Sequence, residues 1–298
     1  MELVTGNRNR FMMDLNIDKK AGQEDFASRN NAMITRRDAR QYHGLENLIL
    51  PDETREITNR AFSGNSSLQS LVCPENMHRI GTEAFAFCRR LETADLPVRL
   101  QNLEDRAFSN DEYLRRVTMP AFTGHTGKEV FSYDRRLREV IFPENCAVRA
   151  IAAGMFLECL QLDEVRLPES VTKICPKAFR RCKSLKTIHF PDRLEHIGRE
   201  AFYFCAMDHL ELPPATAVLE DSAFFKCTAL TYVRLPESVR YLGKWVFHGC
   251  TRLQVLEIRR DPEYMGKWII NRAARIRCYR NSGVDRYCRE NGFTVEYI

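Results

Sequence analysis

Six cysteines keep step along this chain. Cys88, Cys159, Cys182, Cys205, Cys227 and Cys250 each follow a phenylalanine by three residues, and Asn65, Asp111 and Asp134 hold the same place elsewhere. A row of thiols repeated through a fold could bind metal or carry redox chemistry. Structural zinc, however, uses Cys pairs two to four residues apart, and the nearest pair here, Cys175 and Cys182, is seven apart. The mixture of Cys, Asn and Asp fits another role. Small side chains with one hydrogen-bonding atom fill inner turns and satisfy loop backbone groups. The six cysteines are therefore expected to form a structural ladder, buried and unreactive. His189 and His209, beside Glu211, could hold a metal or move protons, but no third ligand converges on them. No Gly-rich phosphate loop, paired-carboxylate motif or Ser/His/Asp spacing is recognisable. The expectation is no metal, no cofactor and no enzymatic activity.

The cysteines keep step because the whole chain does. Phe62, Phe85, Phe108, Phe131, Phe156, Phe179, Phe202, Phe224 and Phe247 recur at steps of 22 or 23 residues, with one step of 25. Prolines recur in the same rhythm from Pro51 to Pro236, and an aliphatic residue precedes each Phe by five, Thr126 excepted. A weaker copy, Ile34, Ala39, Tyr42 and Leu45, comes first. Each unit reads roughly L-x-x-V-x-L-P-x-x-V-x-x-I-x-x-x-A-F-x-x-C-x-x. The L-x-x-V-x-L stretch alternates apolar and polar residues, as a half-buried strand does. Proline then closes it, because it cannot donate to a ladder. The I-x-x-x-A-F-x-x-C stretch has apolar residues at helical offsets, which predicts one short helical turn. Such a unit buries its apolar edge only by stacking on copies of itself, so the fold class is an α/β repeat solenoid.

Ile80-Gly81-Thr82-Glu83-Ala84-Phe85-Ala86-Phe87-Cys88-Arg89-Arg90-Leu91 resembles the BspA-like leucine-rich repeats throughout, and Ile197 to Cys205 does so up to the Cys. The resemblance covers about three quarters of the chain. It implies a curved leucine-rich repeat superhelix of about ten units, with a parallel sheet on one face. It also implies binding of proteins or cell surfaces rather than catalysis. The stretch Ile276 to Phe293 looks like the end cap of such arrays. Ser282 with Asp285 suits a helix N-cap, and Gly292 a left-handed C-cap. The expected organisation is an N-terminal cap over 1–33, repeats over 34–258 and a C-terminal cap over 259–298.

Of 298 residues, 44% are hydrophobic and 29% charged, enough apolar material for a large core and against disorder as the main state. No run of 18 apolar residues exists, so no membrane-spanning helix is expected. No apolar segment follows the charges of residues 1–20, so a reducing, cytoplasmic setting is expected. Eleven cysteines, an odd number, cannot all pair within one chain.

Binding should fall on the outward strand positions, which change type from unit to unit. Those of the N-terminal half include Ile49, Val72 and Ile141. Those of the C-terminal half include Arg166, His189, His209, Tyr232 and Arg234. Tyr and Arg are frequent interface anchors, so these five are the expected contact residues for a protein partner. The alternative is nucleic acid or another polyanion, bound by Arg89-Arg90, Arg115-Arg116, Arg135-Arg136, Arg180-Arg181 and the basic C-terminal segment. Interleaved acidic residues make it the weaker reading. Trp245 is expected to pack under the C-terminal cap with Trp268.

Overall fold

The computed structural model describes residues 32–121 and 124–298. The N-terminal cap expected over 1–33 lies outside the described residues, except for residues 32 and 33. From there the chain winds as a parallel β-solenoid of the leucine-rich repeat type, with about eleven turns. Each turn, or rung, makes two strand passes.

The longer pass is the predicted one. Asn47–Ile49, Ser70–Val72, Thr93–Asp95, Arg116–Thr118 and Glu139–Ile141 pair in parallel, each residue opposite its equivalent one rung away. The central residues Leu48, Leu71, Ala94, Val117 and Val140 point into the core, and their neighbours point out. The shorter pass was not predicted. Met33–Ile34, Glu56–Ile57, Arg79–Ile80, Asn102–Leu103 and His125–Thr126 form a second parallel sheet. Six more two-residue strands, Ala150–Ile151 to Tyr264–Met265, form a third.

The predicted helical turn is absent from the units after the first; only the weaker first copy has one, a 3-10 turn over Asp38–Tyr42. The aliphatic residue five before each Phe lies on the short strand, and the Ala-Phe stretch is a hydrogen-bonded turn. Its flanks hold left-handed backbone: Glu83 (φ 54°) and Phe87 (φ 63°) around Phe85, Lys177 (φ 62°) and Arg181 (φ 63°) around Phe179. A right-handed helix cannot contain such residues. The turn satisfies its amides alternately. Glu83, Phe85 and Phe87 donate to carbonyls one rung on, at Asp105, Ala107 and Ser109, while Ala84, Ala86 and Cys88 donate back within their own turn. The offsets that resembled a helix are those of a third ladder.

Side chains bind the rungs further. Phe62 to Phe247 form one buried stack, with consecutive ring centroids 5.1 to 5.9 Å apart. Each such pair contributes about 0.5–1.5 kcal/mol beyond its buried area. At two places a carboxylate bridges rungs and dictates a glycine. Asp105 accepts from the Lys128 N–H at 2.7 Å and Asp221 from the Lys244 N–H at 3.0 Å. The residues before those lysines are Gly127 and Gly243, where a Cβ would lie 2.3 and 2.5 Å from the Asp105 and Asp221 nitrogens.

The departures from the 23-residue step have structural consequences. The fifth unit carries two extra residues between Cys146 and Arg149. There both sheets part: Glu139–Ile141 does not pair with Glu164–Arg166, nor His125–Thr126 with Ala150–Ile151. The Phe stack runs on unbroken, with Phe131 and Phe156 5.9 Å apart. The seventh unit is one residue short, and there only the long-strand sheet is interrupted, between Thr187–His189 and Tyr232–Arg234. The short strands His196–Ile197 and Val218–Leu219 still pair.

Past residue 258 the ladders continue through Tyr264–Met265 and Arg275–Cys278. Helix Gly283–Asn291 follows. Ser282 caps it by accepting from the Asp285 N–H, Asp285 accepts in turn from the Asn281 N–H, and Gly292 (φ 69°) ends it left-handed. Thr294–Tyr297 then pairs with Arg275–Cys278. No helix among the described residues is long and apolar enough to cross a membrane.

Candidate functional site

The six laddered cysteines lie in the interior. Each thiol donates to the carbonyl of a phenylalanine one rung earlier: Cys88 to Phe62, Cys159 to Phe131, Cys182 to Phe156, Cys205 to Phe179, Cys227 to Phe202 and Cys250 to Phe224, at 3.1 to 3.3 Å. Burial pushes all six thiols well above the ordinary range, Cys250 to about 12. All eleven cysteines are free. Among the described residues no group of three or more His, Cys, Asp or Glu is arranged to hold a metal ion.

The C-terminal half of the long-strand face is chemically richer. Parallel register sets Arg166 beside His189 and Tyr232 beside Val255, while an isolated bridge sets Glu211 beside Arg234. Equivalent outward positions run Arg166 and His189 in one sheet and, past the interruption, Glu211, Arg234, Glu257, Arg277 and Glu296, with mostly alternating charge. His189 Nε2 lies 2.8 Å from Glu164. The centre is Glu257, only 2% exposed. It accepts from Tyr232 Oη at 2.7 Å, Arg259 Nε at 2.6 Å and Arg277 at 3.2 Å, with Arg234 Nε at 3.5 Å. Burial raises the Glu257 carboxyl, but the bonds from Tyr232, Arg259 and Arg277 outweigh it and hold the group below the usual carboxylate range. The Tyr232 hydroxyl is raised by burial and by Glu257.

The five expected contact residues thus fall into two groups. Tyr232 and Arg234 are fixed by Glu257, and His189 by Glu164. Arg166 and His209 are exposed, and their side chains have no hydrogen-bond or ion-pair partner among the described residues. Arg166 borders the parted sheet, where a cleft of about 470 Å³ opens between Val140, Ile141 and Phe142 on one side and Asp163, Glu164 and Arg166 on the other. His209 sits at the second interruption. Sequence reasoning missed Glu257, Arg259 and Arg277, because no proline closes the strand at Val255–Glu257. The 23-residue offsets from Tyr232 and Arg234 were the usable signal.

The Arg pairs are largely neutralised. Arg89 meets Glu112, Arg90 Glu46, Arg115 Glu92, Arg116 Glu139, Arg180 Glu200 and Arg181 Glu158, at 3.0 to 3.9 Å. That leaves the polyanion reading without support. Trp245 and Trp268 are 41% and 43% exposed. The C-terminal helix does not cover them, contrary to expectation: both stand on the left-handed position of their turns and project outward.

The family model for BspA type leucine rich repeat regions matches residues 36–148 and 149–276. No curated protein matches the chain. Among solved structures, a leucine-rich repeat protein from Bacteroides ovatus is 22% identical with a TM-score of 0.63, over 80% of this chain and 64% of that one. This chain thus spans less than two thirds of that protein's length, and the likeness is one of fold. A leucine rich cell surface protein from Faecalibacterium prausnitzii is 23% identical with a TM-score of 0.49, over 89% of this chain and 82% of that one. The T. pallidum leucine rich repeat protein is 24% identical with a TM-score of 0.42, over 89% of each chain. The repeat geometry and the family match, which spans most of the sequence, agree: the chain belongs to the BspA-type leucine-rich repeat family.

Proposed function

We propose that this chain is a non-catalytic protein-interaction module whose partner docks on the C-terminal half of the long-strand face, over Arg166, His189, His209, Tyr232 and Arg234. The supporting observation is the division of that face into fixed and free groups. Glu257 holds Tyr232 and Arg234 in place, which lowers the entropy lost when they meet a partner. Arg166 and His209 stand exposed and unpaired beside interruptions in the sheet, free to form bonds that cost no existing ones.

The test is capture of a partner, then titration of five single alanine variants whose folding is checked by circular dichroism. Loss of at least tenfold in affinity is expected for Arg166→Ala and Tyr232→Ala, matching hot-spot losses of about 2 kcal/mol. Five folded variants that all bind as tightly as the parent would place the site elsewhere.

A further inference from the structure

The residue two before each Phe has left-handed backbone along the solenoid, and its side chain stands on the outer turn. In the N-terminal half it forms a self-neutralised row: Arg60, Glu83, Arg106 and Glu129 pair in sequence at 2.7, 3.3 and 3.9 Å. In the last two such turns it is Trp245 (φ 59°) and Trp268 (φ 58°). A bulky ring in that region is an uncommon, strained choice, and these rings gain little burial from it. The residue just after the Phe carries a ring on the three turns before the last: Tyr203, Phe225 and His248. Tyr203 and Phe225 stack at 5.2 Å, Phe225 and His248 lie 5.8 Å apart, and His248 meets the Trp268 ring at 6.4 Å.

Cations interleave with these rings. Lys183 and Lys226 lie over Phe204, Lys244 over Trp245 and Arg272 over Trp268, at 4.9 to 6.0 Å. From residue 176 on, the stretch from three before to four after each Phe, or Ile270 in its place, carries nine Lys and Arg but only Glu200 and Asp221 as acids. Lys177, Lys183, Lys226, Lys267 and Arg272 have no carboxylate partner among the described residues. Phe204, Trp245 and Trp268 each carry a cation within 6.0 Å of the ring, and Tyr203 and Phe225 stack on each other, so a base stacking there would compete with these groups. What the ridge offers is partly exposed ring surface and positive charge without a carboxylate partner.

We infer that this outer-turn ridge is a second interaction surface, distinct from the strand face, and that it takes an acidic protein segment bearing aromatic or large apolar side chains. Such a segment places carboxylates on the five free cations and its apolar groups against the exposed rings, Trp being the residue most enriched in hot spots.

The two tryptophans of the chain are Trp245 and Trp268, so intrinsic emission reports this ridge alone. The probe is a fluorescein-labelled 15-residue peptide of repeating Glu-Glu-Phe, titrated against the full chain by anisotropy, with an unlabelled copy for the emission reading. Binding with a change in tryptophan emission is expected, at least tenfold tighter than for polyglutamate or oligo(dT) of equal charge. Trp245→Asn with Trp268→Asn keeps a residue tolerant of left-handed backbone and should weaken binding at least tenfold. If that variant fails to fold, Lys226→Asn, which keeps a residue tolerant of the left-handed backbone there (φ 59°), combined with Arg272→Ala should show the same loss. The inference is overturned by absence of binding, by polyglutamate binding as well (charge alone) or by oligo(dT) binding as well (nucleic acid). Affinity untouched by folded variants, or self-association of the chain through these tryptophans, overturns it too.

Discussion

Asp134 accepts a hydrogen bond from the backbone N–H of Asp111 one rung away, at 2.8 Å, and Asp111 accepts likewise from the Cys88 N–H at 2.7 Å. Both carboxyls are fully buried, and the second oxygen of each has no partner. Burial pushes both well above the usual carboxylate range, and the neighbouring Asp134 raises Asp111 further. The flanking rungs use a neutral thiol in this place.

A carboxyl whose pKa is raised by folding binds more protons in the native state than in the unfolded chain. Stability must then fall as pH rises from the unfolded value, about 3.9, towards the folded one. Asp111→Asn with Asp134→Asn should remove much of that slope, gaining about 1–3 kcal/mol at pH 8 and little at pH 4. Asn65 already fills this position in an earlier rung. Urea midpoints at pH 4, 6 and 8 measure the effect. A double variant less stable than the parent at pH 8 would show that both carboxyls are ionised in the fold.

Phe179 lies 5.3 Å from both Phe156 and Phe202 and is fully buried. Phe179→Ala should cost about 3–5 kcal/mol, because rungs on both sides hold the cavity open. An unchanged thermal midpoint would mean that the stack collapses onto the gap at no cost.

Cys175 is the one cysteine that is not buried. An aromatic disulfide reagent should modify it first in the native protein and reach all eleven only on unfolding. Native modification of Cys182 or Cys205 at a comparable rate would mean that the rungs open locally. Cys182→Ser should be milder than Cys182→Ala, since serine keeps a donor for the Phe156 carbonyl.

Strict spacing made the long strands, the Phe stack and the place of the cysteines legible in the sequence, since one pitch puts every equivalent residue in the same environment. The Ala-Phe turn was misread because its apolar offsets match those of a helix. What distinguishes it is left-handed backbone at Glu83, Phe87, Lys177 and Arg181, and none of those residue types announces it. The short strands escaped because two residues cannot show alternation. On the strand face Arg166, His189, His209, Tyr232 and Arg234 were readable from alternation alone. Their division into fixed and free was not, because it depends on Glu257, whose strand lacks the closing proline. Trp245 was misplaced because its exposure depends on where the C-terminal helix stops.

The two extra residues of the fifth unit are Ala147 and Val148, since Cys146 and Arg149 keep their equivalents in the other units. They part both sheets and open the cleft beside Arg166 while leaving the Phe stack joined. Ser170 braces the resulting loop: its hydroxyl lies 2.8 and 2.7 Å from the Cys146 and Val148 carbonyl oxygens, which share its one donor hydrogen. Amides of Glu164–Arg166 should therefore exchange faster than those of Arg116–Thr118, which sit in an unbroken sheet. Deleting Ala147 and Val148 restores the 23-residue step and should join the strands across the gap. Each recovered ladder hydrogen bond adds about 0.5–1.5 kcal/mol, so the thermal midpoint should rise although Ser170 loses one acceptor. The cleft should close, and a partner that uses Arg166 should bind more weakly to the more stable protein. A deletion variant that unfolds earlier than the parent would show that the insertion braces the solenoid instead of interrupting it.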